Sequence, residues 1–213
     1  MPLSEIRLHV FSDYTCPFCY IGHERLRKLR EEFALDINWC HIELHPRLPG
    51  CAQGHDVCRC NSERWHALSR HVQNLRLQDG LEFTVPEIQA QSRSALLLSE
   101  QAKSISPEVF ERLQQGIFAA YFRHHADIGD ETLLRRLARE AGLEESHIEH
   151  AWASHEYPDR LHQHLYLAHQ LGIKSAPTYV IGNQVLSGVQ PLSTLRRVFK
   201  GYISQSIQPA LLH

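Results

Sequence analysis

The chain has 213 residues, of which 43% are hydrophobic and 22% charged, with 22 Lys and Arg against 24 Asp and Glu. That length suffices for one domain, or one domain carrying an insertion, and for a substantial core. A formal net charge of -2 gives no electrostatic case for binding nucleic acid or an anionic membrane surface, and no stretch approaches the length of a membrane span.

The first residues enter a strand pattern with no apolar signal core, so the expected location is the cytoplasm. Thiols are mostly kept reduced there, and a closely spaced cysteine pair reads as catalytic rather than structural. Ile6, Leu8 and Val10 alternate with Arg7 and His9, and Phe11 follows, which predicts a strand. Cys16-Pro17-Phe18-Cys19 comes next, and then the period changes, with Ile21, Leu26, Leu29 and Phe33 on one helical face. If Pro17 and Phe18 form the first turn, Cys16 sits at the exposed N-terminal end and Cys19 lies three residues on, over the same face. The two sulfurs are then within disulfide reach. The helix macrodipole favours negative charge at that end, so Cys16 is the expected nucleophile and the more buried Cys19 the resolving thiol. The rival reading, half of a zinc site, needs a second Cys or His pair at similar spacing, and none appears in that form. Asp13, three residues before Cys16, either perturbs that thiol or caps the turn.

Leu35, Ile37 and Trp39 alternate with Asp36, Asn38 and Cys40, predicting a second strand through about Leu44 and a parallel βαβ unit. Residues 45–61 are turn-rich and hold Cys51, His55, Cys58 and Cys60. The Cys58-x-Cys60 spacing suits the usual zinc knuckle poorly, so the cluster is read as a thiol-rich loop without metal, and a disulfide from Cys51 to Cys58 or Cys60 is left open. From Ser62 to about Ala168 the pattern is helical, interrupted by an extended piece at Leu81, Phe83 and Val85. Ser106-Pro107 and Asp130 are expected N-termini, Gly142 a stop, and Asp159 the start of the helix holding Leu161 and Leu165. Sixteen histidines are scattered along the chain. His124, His125, His162, His164 and His169 are read as solvated surface groups. Thr178-Tyr179-Val180-Ile181, Gly182-Asn183 and Gln184-Val185-Leu186-Ser187 read as a hairpin, and Pro191 opens a last helix.

Cys16-Pro17-Phe18-Cys19-Tyr20 after a strand, Ser175-Ala176-Pro177-Thr178 before a hairpin and a helical insert between them resemble the DsbA-like branch of the thioredoxin superfamily. Ile21-Gly22, Ala119-Ala120-Tyr121-Phe122, Asp127-Ile128-Gly129-Asp130 and Leu186-Ser187-Gly188-Val189-Gln190-Pro191 resemble more narrowly its polyketide-type dithiol-disulfide isomerases and 2-hydroxychromene-2-carboxylate isomerases. The resemblance implies an α/β thioredoxin-like fold interrupted by a helical insertion domain, with residues 1–47 and 161–213 as the two halves and 48–160 as the insertion. It also implies a cis bond before Pro177 facing Cys16, substrate pairing at the Ala176 backbone, and a proline ring that shields the thiolate from stray metal. Substrate-contacting candidates are therefore Pro17, Phe18, Ala176 and Pro177, around catalytic Cys16 and Cys19.

Phe18 stands where strongly oxidising relatives carry histidine, so the expected potential lies between those of thioredoxin and DsbA. Relatives with serine at the nucleophile position work with bound glutathione, and Cys16 here favours redox chemistry instead. The expected activity is thiol-disulfide oxidoreduction or disulfide isomerisation on protein or small-molecule substrates. No dissociable cofactor is required, and glutathione or a thioredoxin-type reductant would recycle the pair. The alternatives are a glutathione-dependent isomerase or transferase and a redox-sensitive peptide-binding module or holdase. A homodimer is left open.

Overall fold

The computed structural model describes residues 5–46, 62–86 and 90–207. The loop bearing Cys51, His55, Cys58 and Cys60 lies outside them. The elements run β1 (Ile6–Ser12), α1 (Pro17–Leu29), β2 (Leu35–His41), α2 (Ser62–Asp79), α3 (Arg93–Ile105), α4 (Pro107–Phe122), α5 (Glu131–Ala141), α6 (Glu145–Ala153), α7 (Glu156–Gln170), β3 (Thr178–Ile181), β4 (Gln184–Ser187) and α8 (Leu192–Ile207). The strands form one mixed sheet in the order β2-β1-β3-β4. β1 and β2 pair in parallel from Ile6 opposite Leu35 to Ser12 opposite His41, whereas β3 joins β1 and β4 antiparallel. The fold is α/β, with its sheet assembled from the two ends of the sequence.

Ile6, Leu8 and Val10 enter the main core with Leu26 and Leu29 of α1 and Leu195 and Phe199 of α8. Alternation ends at Phe11 because the other face of the sheet is covered there: Phe11, Cys40 and Ile42 pack with Ala168 of α7. A β1 that is half-solvated at its start and buried on both faces at its end delivers the following turn into the interior. The helical layer is centred on α3, whose residues from Ala95 to Ala102 are all buried. Tyr20 of α1 stacks on Phe122 of α4 at 5.3 Å, and Phe118 and Phe83 complete that aromatic cluster. Arg25 of α1, itself buried, donates to Asp79 at the end of α2 (2.6 Å) and to the Gln190 carbonyl before α8 (2.8 Å). Among the described residues no helix is long and apolar enough to cross a membrane.

The local signals act where expected. Ser106 accepts a hydrogen bond from the Val109 N–H (3.2 Å) with Pro107 in the first turn of α4. Asp130 accepts from the Thr132 N–H (2.8 Å), and Gly142, at a φ of 104°, closes α5. Asp130→Ala is expected to cost about 1 kcal/mol, the usual value of an N-cap, measured by urea unfolding.

Two boundaries differ from expectation, and one extended piece stays outside the sheet. β2 stops at His41 rather than Leu44, because β1 has ended and the Asp13 carboxylate takes the Leu44 N–H (2.6 Å). The segment at Leu81–Val85 forms no strand; Leu81 and Phe83 are nonetheless buried, and the Thr84 N–H finds the Phe122 carbonyl. α7 begins at Glu156, upstream of Asp159, with Pro158 inside its first turn. The first i to i-4 bond runs from the Asp159 N–H to the His155 carbonyl, so the N–H that Pro158 lacks is not needed. α7 is therefore one continuous helix across residue 160, packed on α3 and on β2.

Candidate active site

Cys16 is the residue immediately before α1. Its backbone is extended (φ -90°, ψ 115°), Pro17 occupies the first helical position, and the Cys16 carbonyl accepts the opening helical bonds from the Cys19 and Tyr20 N–H groups. Its thiol donates to the Ala176 carbonyl at 3.4 Å, and the Ala176–Pro177 peptide is cis. That loop is fixed by the Thr178 hydroxyl donating to the Ser175 carbonyl (2.7 Å) and the Gly188 N–H donating to the Pro177 carbonyl (2.8 Å).

Cys16 is 7% exposed and Cys19 1%, and both are free thiols. Burial pushes the Cys19 thiol well above the ordinary cysteine value, and the hydrogen bond and negative charge offered by Cys16 push it the same way. The Asp13 backbone and the Ser12 side chain pull in the opposite direction. Cys19 is thus held neutral beside the more accessible sulfur. The third described cysteine, Cys40, is buried in β2 with its thiol raised to about 12 by desolvation, which leaves it inert.

Pro17 and Pro177 are buried; Phe18 and Ala176 are half-buried. The Phe18 ring lies against His71 of α2, with centroids 5.5 Å apart. Asp13 is fully buried and occupied by backbone: Oδ1 accepts from the Thr15 N–H (3.0 Å) and Oδ2 from the Leu44 N–H. Of the two readings of Asp13, the geometry matches the turn cap. Sequence reasoning passed over Ser12, Gly22, His71 and Tyr179. Tyr179 read only as a strand position and Gly22 only as part of the Ile21-Gly22 motif, and nothing in the local pattern marks Ser12 or His71.

A second cluster lies behind Tyr14. His41 Nδ1 is 2.7 Å from Glu100 Oε1, Lys103 Nζ is 2.6 Å from Glu100 Oε2, and Lys103 also donates to the Trp39 carbonyl (2.8 Å). His164 Nδ1 is 3.2 Å from the His41 carbonyl and 3.8 Å from Glu100 Oε1. These contacts correct the reading of His164 as a solvated group; His162, His169, His124 and His125 are exposed. His41 and Lys103 hold the Glu100 carboxyl down at about 2 despite burial, whereas desolvation lowers His41 and takes His164 down to about 4. At neutral pH the cluster is a carboxylate with a lysine counter-charge and two neutral imidazoles, each carrying its proton on Nδ1.

Among the described residues no group of three or more His, Cys, Asp or Glu side chains is placed to hold a metal ion. A cavity of about 540 Å³ lies away from the cysteines, between Thr84, Pro86, Tyr121 and His125.

Several known proteins are similar to this chain. YwbO of Bacillus subtilis (strain 168), itself uncharacterised, is 25% identical over 185 residues, which cover 86% of this chain and 90% of that one. A solved 2-hydroxychromene-2-carboxylate isomerase superposes with a TM-score of 0.73 at 17% identity, covering 95% of this chain and 98% of its own. The cytosolic disulfide reductase DsbM of Pseudomonas aeruginosa, solved with GSH, gives 0.67 at 16% identity, covering 97% and 100%. The family model of the DSBA-like thioredoxin domain matches residues 7–200, nearly the whole described structure, and the chain belongs to that family.

Proposed function

We propose that the protein is a thiol-disulfide oxidoreductase or disulfide isomerase in which Cys16 attacks and Cys19 resolves. The observation that carries this reading is the 3.4 Å contact between the Cys16 thiol and the Ala176 carbonyl, which puts the more accessible sulfur of a Cys-x-x-Cys pair against a cis-proline loop. A negative charge on Cys16 lies at the positive end of α1. The Cys16 thiolate attacks a substrate disulfide, releasing one substrate thiol and leaving a mixed disulfide. Cys19 then attacks the Cys16 sulfur, closing the Cys16–Cys19 bond and releasing the second thiol. Two electrons pass from the dithiol to the substrate; two glutathione thiols, or one thioredoxin-type dithiol, return them. In this cycle Ala176 and Pro177 seat the substrate strand, and Pro17 with Phe18 forms the wall beside Cys16.

The DsbM likeness favours glutathione as the reductant and a reducing compartment, the cytoplasm, as the place of work. A glutathione-dependent isomerase is the second reading, supported by the likeness to 2-hydroxychromene-2-carboxylate isomerase. It requires activity that survives loss of Cys19.

The test is a titration of the dithiol in glutathione buffers beside an insulin-reduction assay. With Phe18 between the cysteines, the expected midpoint lies between roughly -270 and -120 mV, the values of thioredoxin and DsbA. Absence of insulin reduction together with a pair that will not oxidise in any of these buffers overturns the reading.

A further inference from the structure

Tyr179 of β3, two residues beyond Pro177 and opposite Val10 of β1, is 0% exposed, and its hydroxyl has no hydrogen-bond partner. A buried hydroxyl left unpaired is a cost that the same ring without oxygen avoids. The hydroxyl lies against α1 at Gly22: a Cβ there would stand 2.4 Å from the oxygen, and 3.3 Å from the Pro177 ring. Only glycine leaves room for it. Gly22 lies one turn beyond Cys19, so the unpaired donor, the cis-proline ring and the resolving cysteine share one buried layer between α1 and β3.

We propose that the Tyr179 hydroxyl is a positioning group for the resolving thiol, donating a hydrogen bond to the Cys19 sulfur when it carries negative charge. The inference rests on the thiol-disulfide reading above. Resolution asks Cys19 to ionise in a site that burial makes hostile to charge. A buried O–H donor with no other partner answers that demand by closing on the sulfur when it ionises. Burial, followed by the charge on Cys19, pushes the Tyr179 phenol far above its ordinary value, so the group keeps its proton and acts as a donor throughout. In the step it assists, Cys19 loses its proton, its sulfur attacks Cys16, the mixed disulfide breaks, and the departing substrate thiolate takes up a proton. The phenol is neither consumed nor oxidised.

Tyr179→Phe tests this. In the Cys16→Ser background, where no turnover is needed, alkylation of Cys19 is followed against pH by peptide mass. The Phe variant is expected to shift half-reaction upward by about one pH unit. With Cys16 present, single-turnover release of the second substrate thiol is expected to slow about tenfold relative to formation of the mixed disulfide. An unchanged Cys19 titration overturns the proposal. Failure of the mixed disulfide to form in the parent protein overturns the function reading instead, and leaves the titration to be judged by itself. Gly22→Ala supplies a second probe, because its methyl group displaces the hydroxyl. It is expected to raise the Cys19 titration clearly more in the Tyr179 protein than once Tyr179 is Phe, where only the 3.3 Å approach to the Pro177 ring remains; equal effects in both backgrounds count against the proposal.

Discussion

Cys19→Ser is expected to stop the reaction as a stable covalent adduct on Cys16, whereas Cys16→Ser is expected to give no adduct at all. The asymmetry follows from the two environments. Cys16 stands at the end of α1 with its sulfur against the Ala176 carbonyl, and Cys19 is sealed one turn inside. Serine at position 16 removes the sulfur that meets substrate. Loss of kcat/KM in insulin reduction is expected on the order of a thousandfold, equivalent to about 4 kcal/mol of transition-state stabilisation. Serine at position 19 leaves the first attack in place and removes the group that expels the substrate, so the mixed disulfide accumulates and is detected as added mass that dithiothreitol removes. The parent protein adds a pH signature. Because burial holds the Cys19 thiol far above its ordinary value, its thiolate fraction near neutrality is small and rises tenfold per pH unit. Release of the second thiol is therefore expected to accelerate about tenfold per unit between pH 7 and 8.5 in single-turnover measurements. A pH-independent release, or an adduct formed by the Cys16→Ser protein, contradicts the assignment of the two sulfurs.

The thiol pair was legible because everything that places it is local. The alternation of Ile6, Leu8 and Val10, the proline after Cys16 and the change to a helical period all lie between Ile6 and Phe33. The caps at Ser106 and Asp130 and the stop at Gly142 were legible for the same reason. What escaped depends on partners distant in the chain. β2 ends where the Asp13 carboxylate reaches the Leu44 N–H, 31 residues on, and the burial of His41 is decided by Glu100, 59 residues away. Tyr179 looked like any aromatic in a strand, and Gly22 stood in a family motif with no stated reason for being glycine. Their meaning appears only when β3 is laid across α1.

That distant polar cluster leads to a prediction about acid. Stability is expected to fall as the pH drops from about 6.5 to 4, most of the fall beginning above 4.5 where carboxylates are still largely ionised. His41 and His164 have depressed values in the folded state, about 4 for His164, whereas unfolded histidine titrates near 6.5. Between those values the unfolded chain binds protons that the folded chain refuses, and stability therefore decreases as pH decreases. For His164 alone the 2.5-unit gap corresponds to roughly 3 kcal/mol, and His41 acts in the same direction. Glu100 has the opposite baseline. Its carboxyl is held near 2, so its contribution is fully present above the unfolded value of about 4.5 and is lost only below that. The acid limb should thus begin with the histidines and steepen below about 4.5, where the unfolded carboxyl takes a proton that folded Glu100 refuses. Urea unfolding followed from pH 8 to 4 measures it, and a flat profile between 6.5 and 4.5 rules out the neutral, buried imidazoles. Glu100→Gln provides the complementary result at pH 7.5. It leaves Lys103 buried without its counter-charge, a loss expected at about 3–5 kcal/mol, while adding Lys103→Met to the same chain is expected to restore much of it. The two changes would simply add if Glu100 and Lys103 acted independently; a double variant more stable than Glu100→Gln alone identifies them as one unit joining α3 to the strand that runs beside the cysteine turn.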